Sequence, residues 1–359
     1  MNAISDGHTC FLRHDRPVSG INALTLSNGQ LAVTVLPGKG ADIYALTYGG
    51  VDVLWKSPQG LRLPGQGRLA ADSLTAWLEQ YEGGWQEIFP NGGDACQHDG
   101  VELSFHGEAT LLPWSWRVIE ESPETVSVEF TVRLFRSPFT MRRRMTIHSD
   151  VDALFIEETL HNWSAHPAAL MWGHHPAIGA PLLGDGARLF TNARTVIADA
   201  NYDPPYNPLV PGAQSVWPFA QSKQGTPIDL SLLPPPTDQR DILMYMLDFM
   251  GTPWYAFTNP SLGFGVGWAW GEPFRCCWLW QEVRATTGFP WYGTAYTVAC
   301  EPWSSYPGTG LAHVIEQTGT QLTLEAGADL DAALTVSFFA IQPDAIPINI
   351  ALDGTVTFA

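Results

Sequence analysis

Charge is scarce in this 359-residue chain, and positive charge scarcer still. Asp, Glu, Lys and Arg make up 15% of it, with 18 Lys and Arg set against 36 Asp and Glu. The formal charge of −18 repels a phosphate backbone or an anionic membrane surface, so neither nucleic acid nor membrane is expected as a partner. The same imbalance weighs against a highly phosphorylated substrate and leaves neutral small molecules. Cysteine is sparse and odd in number: Cys10, Cys96, Cys276, Cys277 and Cys300 make neither a disulfide framework nor a spaced zinc site. Met1 to His8 hold no basic n-region and no apolar h-region, so no signal peptide is read there. No apolar run is long enough to cross a bilayer. These absences set the expectation of a reduced, cytoplasmic protein. Internal repeats and low-complexity tracts are missing too, and Gly38-Lys39-Gly40 lacks the spacing of a phosphate-binding loop.

Helix signal is equally thin, with 70–82 the one good candidate. Strand signal fills the space. Short β-branched or alternating runs recur at 31–36, 42–46, 126–132, 139–147 and 153–160, separated by turn residues such as Pro37-Gly38 and Gly49-Gly50. Strands this frequent predict a sandwich or barrel, and a hydrophobic content of 45% supplies its core. All-β folds often exceed the usual domain size, so residues 1–359 are expected to form one domain. The Pro-rich stretch 200–237 breaks the rhythm, because proline cannot donate to a ladder. Patterning resumes near Ile242, so this stretch reads as a surface excursion near a cleft rather than a linker. In a strand, Arg142-Arg143-Arg144 alternates faces and is expected to be solvated or ion-paired sheet surface. Fifteen Trp and ten Tyr suit a pleated core. Those near chemically active residues could also stack on a sugar.

Three segments carry such residues: Ser104-Phe105-His106-Gly107, Gly173-His174-His175-Pro176 and Ala299-Cys300-Glu301-Pro302. Each places an imidazole or carboxylate where Gly or Pro ends a strand-like run. Together they suffice for acid–base chemistry on a bound ligand. His174 and His175 are adjacent, so in an extended segment they point to opposite faces. Pro176 holds His175 extended and makes it the stronger candidate of the two. Glu301 follows a mostly apolar run, where burial would raise its pKa toward a general-base range; a salt bridge to Arg284 is the alternative. Glu282 is the next carboxylate, beside Trp280 and Gln281, which could stack on and hydrogen-bond a ligand.

Taken in order, these segments resemble the aldose 1-epimerase (galactose mutarotase-like) superfamily. Val33-Thr34-Val35-Leu36-Pro37-Gly38-Lys39-Gly40-Ala41 is similar to the family's opening strand and turn. Phe89-Pro90-Asn91-Gly92-Gly93, Phe105-His106-Gly107 and Pro113-Trp114 resemble the segment around its first sugar-binding histidine. Glu158-Thr159-Leu160-His161-Asn162-Trp163-Ser164 with Gly173-His174-His175-Pro176 resembles the stretch carrying the catalytic histidine, and Cys300-Glu301-Pro302 the one carrying the catalytic carboxylate. Leu322-Thr323-Leu324-Glu325-Ala326-Gly327 is similar to the closing segment.

The resemblance implies an all-β, mostly antiparallel β-supersandwich with few short helices and an open cleft on one sheet face. It implies that His175 is a general acid, Glu301 a general base and His106 a sugar-binding partner, with no metal or organic cofactor. The expected substrate is a neutral or at most singly charged monosaccharide. Its expected contacts are His106, Asn91, Gln281, Glu282 and one or more of Trp280, Trp114 and Trp303. A homodimer is an open option. The chain departs from the family where Pro176-Ala177-Ile178-Gly179 replaces an aromatic pair and where Asn91-Gly92-Gly93-Asp94 lacks an Arg. It is therefore a divergent member, with the sugar itself left open. Other readings are an isomerase acting beside a carbonyl, with a metal on His106, His175 and Glu282, and a non-catalytic carbohydrate-binding protein. A glycosidase would need two opposed carboxylates, of which only Glu301 is well placed.

Overall fold

The computed structural model describes residues 9–16, 20–62, 72–341 and 345–359. Period-two alternation dominates it. In the strand Phe139–His148, Phe139, Met141, Arg143, Met145 and Ile147 point inward while the residues between them point out. Two large sheets result, and every ladder between described strands is antiparallel. Strand makes up 49% and helix 5%, so the fold is all-β.

Among the described residues, one sheet has twelve strands. Its centre runs Asp42–Tyr48, Trp85–Ile88, Gly173–Ile178, Tyr296–Trp303, Cys276–Val283 and Arg240–Leu247. The other has eight, centred on Asp329–Ala340, Ala153–Asn162, Phe139–His148 and Thr125–Arg133. Their facing sides enclose one apolar cluster that includes Leu26, Val35, Met145, Ile156, Val298 and Val336. Fully burying side chains of this size contributes roughly 1.5–3 kcal/mol each. A second cluster covers the outer face of the larger sheet. It is aromatic: Trp55, Trp77, Tyr81, Trp278, Trp291 and Trp303 are all buried there.

Among the described residues, α-helix is confined to Ser73–Leu78 and Leu311–Gln317. The first is shorter than the stretch 70–82; residues 70 and 71 lie outside the described residues. Asp72 caps it by accepting from the Thr75 amide at 2.8 Å. The second was not foreseen. The Pro-rich stretch is less bare than proline content suggests: Gln214–Val216 adds to Thr195–Ala198 at the end of the larger sheet, and Phe219–Ala220 pairs with Ile228–Asp229. Its opening residues reach the cleft described below.

Arg143 corrects the reading of the arginine triplet as sheet surface. Arg142 faces outward, and Arg144 is partly exposed beside Glu129 and Glu157. Arg143 falls on the inward row and is 1% exposed. Its Nε donates to Glu158 Oε1 at 2.7 Å, and its guanidinium also meets Glu87 from the opposite sheet. A guanidinium without a carboxylate could not be accommodated there, nor could either carboxylate without the guanidinium. Arg143→Met should therefore lower the free energy of urea unfolding by roughly 3–5 kcal/mol, since it strands two buried carboxylates. We propose that the chain is one domain, in which case both sheets lose that stability in one transition. A loss below about 1 kcal/mol would contradict the ion-cluster account, and two separate transitions would contradict the single domain.

Candidate active site

The dipeptide His174-His175 faces both ways across the larger sheet. Inward, His174 Nε2 lies 3.1 Å from Glu158 Oε2, and the Trp85 indole donates to its Nδ1 at 3.2 Å. Outward, His175 enters the aromatic layer. Strand pairing then selects its neighbour. Gly173 is opposite Trp303 and Ala177 opposite Ala299, so the register carried through Pro176 and Pro302 sets His175 across from Glu301. His175 Nε2 and Glu301 Oε1 are 3.5 Å apart.

His106 comes from a different place, the loop after Val101–Leu103. It adopts φ of 54°, the left-handed region that non-glycine residues rarely occupy. A reciprocal pair of bonds holds it there: its backbone N–H donates to the Gly93 carbonyl at 3.0 Å, and the Gly93 N–H donates to its Nδ1 at 3.1 Å. Only glycine serves at 93, where φ is 71° and a Cβ would fall 1.8 Å from the Gly308 carbonyl oxygen. Because Nδ1 accepts, neutral His106 carries its proton on Nε2. Its ring centre lies 5.7 Å from that of His175.

The three residues line a cavity of about 340 Å³. Trp77, Trp278, Trp280 and Trp291 form its walls, and Asp94 and Tyr202 also border it. No Lys or Arg is among its described lining residues. Burial therefore dominates the titration of the groups inside. It raises Glu301 to about 8, against the opposing hydrogen bond from Trp303. It lowers His175 to about 4. His106 is pushed well below the usual histidine range, by burial and then by His175.

Trp303 was expected to touch the sugar; it does not line the cavity, and it positions the carboxylate instead. Its indole donates to Glu301 Oε2 at 3.0 Å, and its ring stacks on Trp278 with centres 4.1 Å apart. Gly173 makes room for that ring, since a Cβ there would sit 2.1 Å from Trp303 Cδ2. Glu301 is thus held by Trp303 and His175 rather than by Arg284.

Four other expected contacts lie elsewhere. Gln281 sits between Trp280 and Glu282, so strand alternation turns it into the core between the sheets, fully buried with both amide atoms unpartnered. Glu282 points outward but anchors a turn: Oε1 accepts from the Ala285 and Thr286 amides, and Oε2 from the Thr286 hydroxyl at 2.6 Å. The trio His106, His175 and Glu282, considered for a metal, is therefore not assembled. Asn91 is spent on backbone, donating to Asp94 and Ser104 and accepting from Leu311 N at 2.7 Å. Trp114 packs in the core between the sheets, its indole on the Ala109 carbonyl and its ring 5.4 Å from the Arg143 guanidinium.

Of the predicted contacts, His106, His175, Glu301 and Trp280 meet at the cavity. Tyr81, Trp77, Trp278 and Trp291 join them without having been singled out. Trp77 lies on the helix Ser73–Leu78 and Tyr81 beyond its end, and their place in the stretch 70–82 was the available signal. Among the described residues, Glu87, Glu158 and His174 are the trio close enough to hold a metal ion, but they belong to the inward face, where Arg143 already engages both carboxylates.

The same fold occurs in a candidate aldose 1-epimerase from Klebsiella pneumoniae, with a TM-score of 0.69 and 16% identity over 92% of this chain and 83% of that one. A galactose mutarotase-like protein from Clostridium acetobutylicum matches at 0.63 and 13% identity, covering 93% and 99%. A galactose mutarotase related enzyme from Lactobacillus acidophilus matches at 0.59 and 15%, covering 89% and 97%. A family profile described as "Domain of unknown function (DUF4432)" matches residues 18–338. No curated protein matches the sequence.

The placement of Gln281 has a measurable consequence. Gln281→Leu removes two buried, unpaired polar atoms, so unfolding free energy should stay level or rise by about 1–2 kcal/mol, with ligand affinity unchanged. Weakened sugar binding, measured by calorimetry, would return Gln281 to the binding site.

Proposed function

The chain belongs to the DUF4432 family across residues 18–338, and from that premise and its galactose mutarotase-like fold we propose that it interconverts the anomers of a neutral monosaccharide by acid–base ring opening. The observation that carries this reading is the contact between His175 and Glu301 at 3.5 Å in an aromatic cavity with no cation among its described lining residues.

Opening a cyclic hemiacetal removes the proton of the C1 hydroxyl and delivers one to the ring oxygen. Both oxygens are bonded to the same carbon, so two groups within hydrogen-bonding reach of each other can serve them. Glu301 takes the hydroxyl proton while protonated His175 gives its Nε2 proton to the ring oxygen. The C1–ring-oxygen bond breaks and the pair becomes neutral, with the acid on glutamate and a free imidazole. Rotation about C1–C2 and reclosure along the reverse path yield the other anomer. Desolvation assists the opening half, because two opposite charges disappear inside a site that disfavours charge. His106, donating from Nε2, holds a sugar oxygen, and the Trp walls offer flat apolar faces to the sugar C–H bonds.

A phosphate dianion finds no Lys or Arg in the described lining, and Asp94 adds negative charge, which supports a neutral substrate. We further propose that the protein works without nucleic acid or membrane partners. No helix among the described residues is long and apolar enough to cross a membrane.

Saturation-exchange NMR at C1, run across free aldoses, tests the activity and finds the substrate together. Glu301→Gln should keep the fold and the sugar affinity while the exchange rate falls by roughly 10²–10⁴-fold, because the amide cannot accept the proton. Undiminished exchange in that variant would refute the assignment.

A further inference from the structure

Among the described residues, Tyr81 is the one hydroxyl that meets the proposed catalytic histidine. Its oxygen lies 3.3 Å from His175 Nδ1, on the side of the ring away from Glu301. Tyr81 is 2% exposed, its ring is edge-on to His175 at 5.4 Å and 81°, and it stacks on Trp77 at 4.6 Å and 23°. Trp55 and Trp291 close in on it at 5.9 Å each. The hydroxyl is thus delivered by a packed aromatic cage rather than by a mobile side chain.

We propose that Tyr81 is a positioning residue whose oxygen accepts the His175 Nδ1 proton and thereby leaves Nε2 as the nitrogen that exchanges a proton with Glu301. The inference rests on the acid–base reading above, and the argument is one of proton counting. Imidazole has two nitrogens, and the nitrogen facing Glu301 is Nε2. For Nε2 to receive a proton and form imidazolium, neutral His175 must already carry its proton on Nδ1. That tautomer needs an acceptor beside Nδ1, and Tyr81 supplies one. If Nε2 held the neutral proton instead, Nδ1 would become the basic atom, facing Tyr81 and turned away from the carboxylate. Proton transfer between His175 and Glu301 would then have no path. With its lone pair engaged by Nδ1–H, the Tyr81 hydroxyl keeps its own hydrogen.

Nitrogen-15 NMR of the full-length protein labelled on histidine reads the tautomer directly, without substrate. His175 is assigned by loss of its signals in His175→Gln. At neutral pH the unsubstituted protein should show His175 as a single neutral species protonated on Nδ1. Tyr81→Phe, which keeps the ring and its stacking, should convert His175 to the Nε2-protonated form or to a mixture, with the His106 and His174 signals unmoved as the check on folding. The same variant should lower kcat for anomer exchange about 10–100-fold with little change in KM, the scale seen when the hydrogen-bond partner of a metal-ligating histidine is removed. A His175 protonated on Nε2 in the unsubstituted protein, or one unaffected by Tyr81→Phe, would overturn the proposal. Normal tautomer behaviour together with undiminished exchange in Glu301→Gln would instead refute the acid–base reading and leave the Tyr81 contact standing.

Discussion

Removal of water from a carboxyl–imidazole pair is the constraint around which this molecule is arranged. Glu301 and His175 are both nearly inaccessible and 3.5 Å apart, with no cation beside them among the described residues. In water a carboxyl would hand its proton to an imidazole. Burial pushes the two in opposite directions, Glu301 up and His175 down, so the pair rests neutral with its proton on Glu301. That neutral state is also the one the pair reaches when ring opening is complete. It depends on the aromatic layer: Trp303 fixes one carboxylate oxygen, and Tyr81 meets the far side of the imidazole.

The inward face of the same dipeptide shows the opposite solution. There Arg143 ion-pairs with Glu87 and Glu158, and His174 Nε2 also meets Glu158. Glu158 illustrates the contrast. Burial alone would raise it, yet His174 and Arg143 hold it below the usual carboxylate range. The guanidinium ties the sheets together on the face to which strand alternation turns His174, and the same alternation turns His175 outward. A stable ion cluster on one face and a labile proton on the other are therefore linked through two consecutive residues.

Much of the sheet was legible in the sequence, because strand periodicity is local. The run 31–36 is the strand Leu31–Leu36 to the residue, and 139–147 and 153–160 become Phe139–His148 and Ala153–Asn162. The pattern of His, His-His and Glu beside Gly and Pro also pointed to residues that meet in one cavity. What escaped was everything set by partners distant in sequence. Gln281 and Trp303 lie beside strong candidates, but the alternation that places Glu301 and Trp280 at the cleft face sends Gln281 inward, and packing on Trp278 places Trp303 beside the carboxylate rather than on the cavity wall. Arg143 looked like surface charge until cross-strand register set it opposite Glu158. The helix Leu311–Gln317 is short, with only Leu311 and Val314 buried, too little periodicity to register. Tyr81 belongs to a stretch that reaches His175 only once the sheet has formed.

The claim that one transferable proton resides on this pair is tested most directly by the pH dependence of kcat/KM for anomer exchange, corrected for the uncatalysed rate. Below about 4, His175 and Glu301 are both protonated and no base remains; above about 8, neither holds the proton and no acid remains. The account predicts a bell with its plateau between those limits, and in Glu301→Gln the limb near 8 should disappear, because only His175 is left to titrate. A rate that keeps climbing above pH 9, or an alkaline limb unchanged in Glu301→Gln, would contradict it.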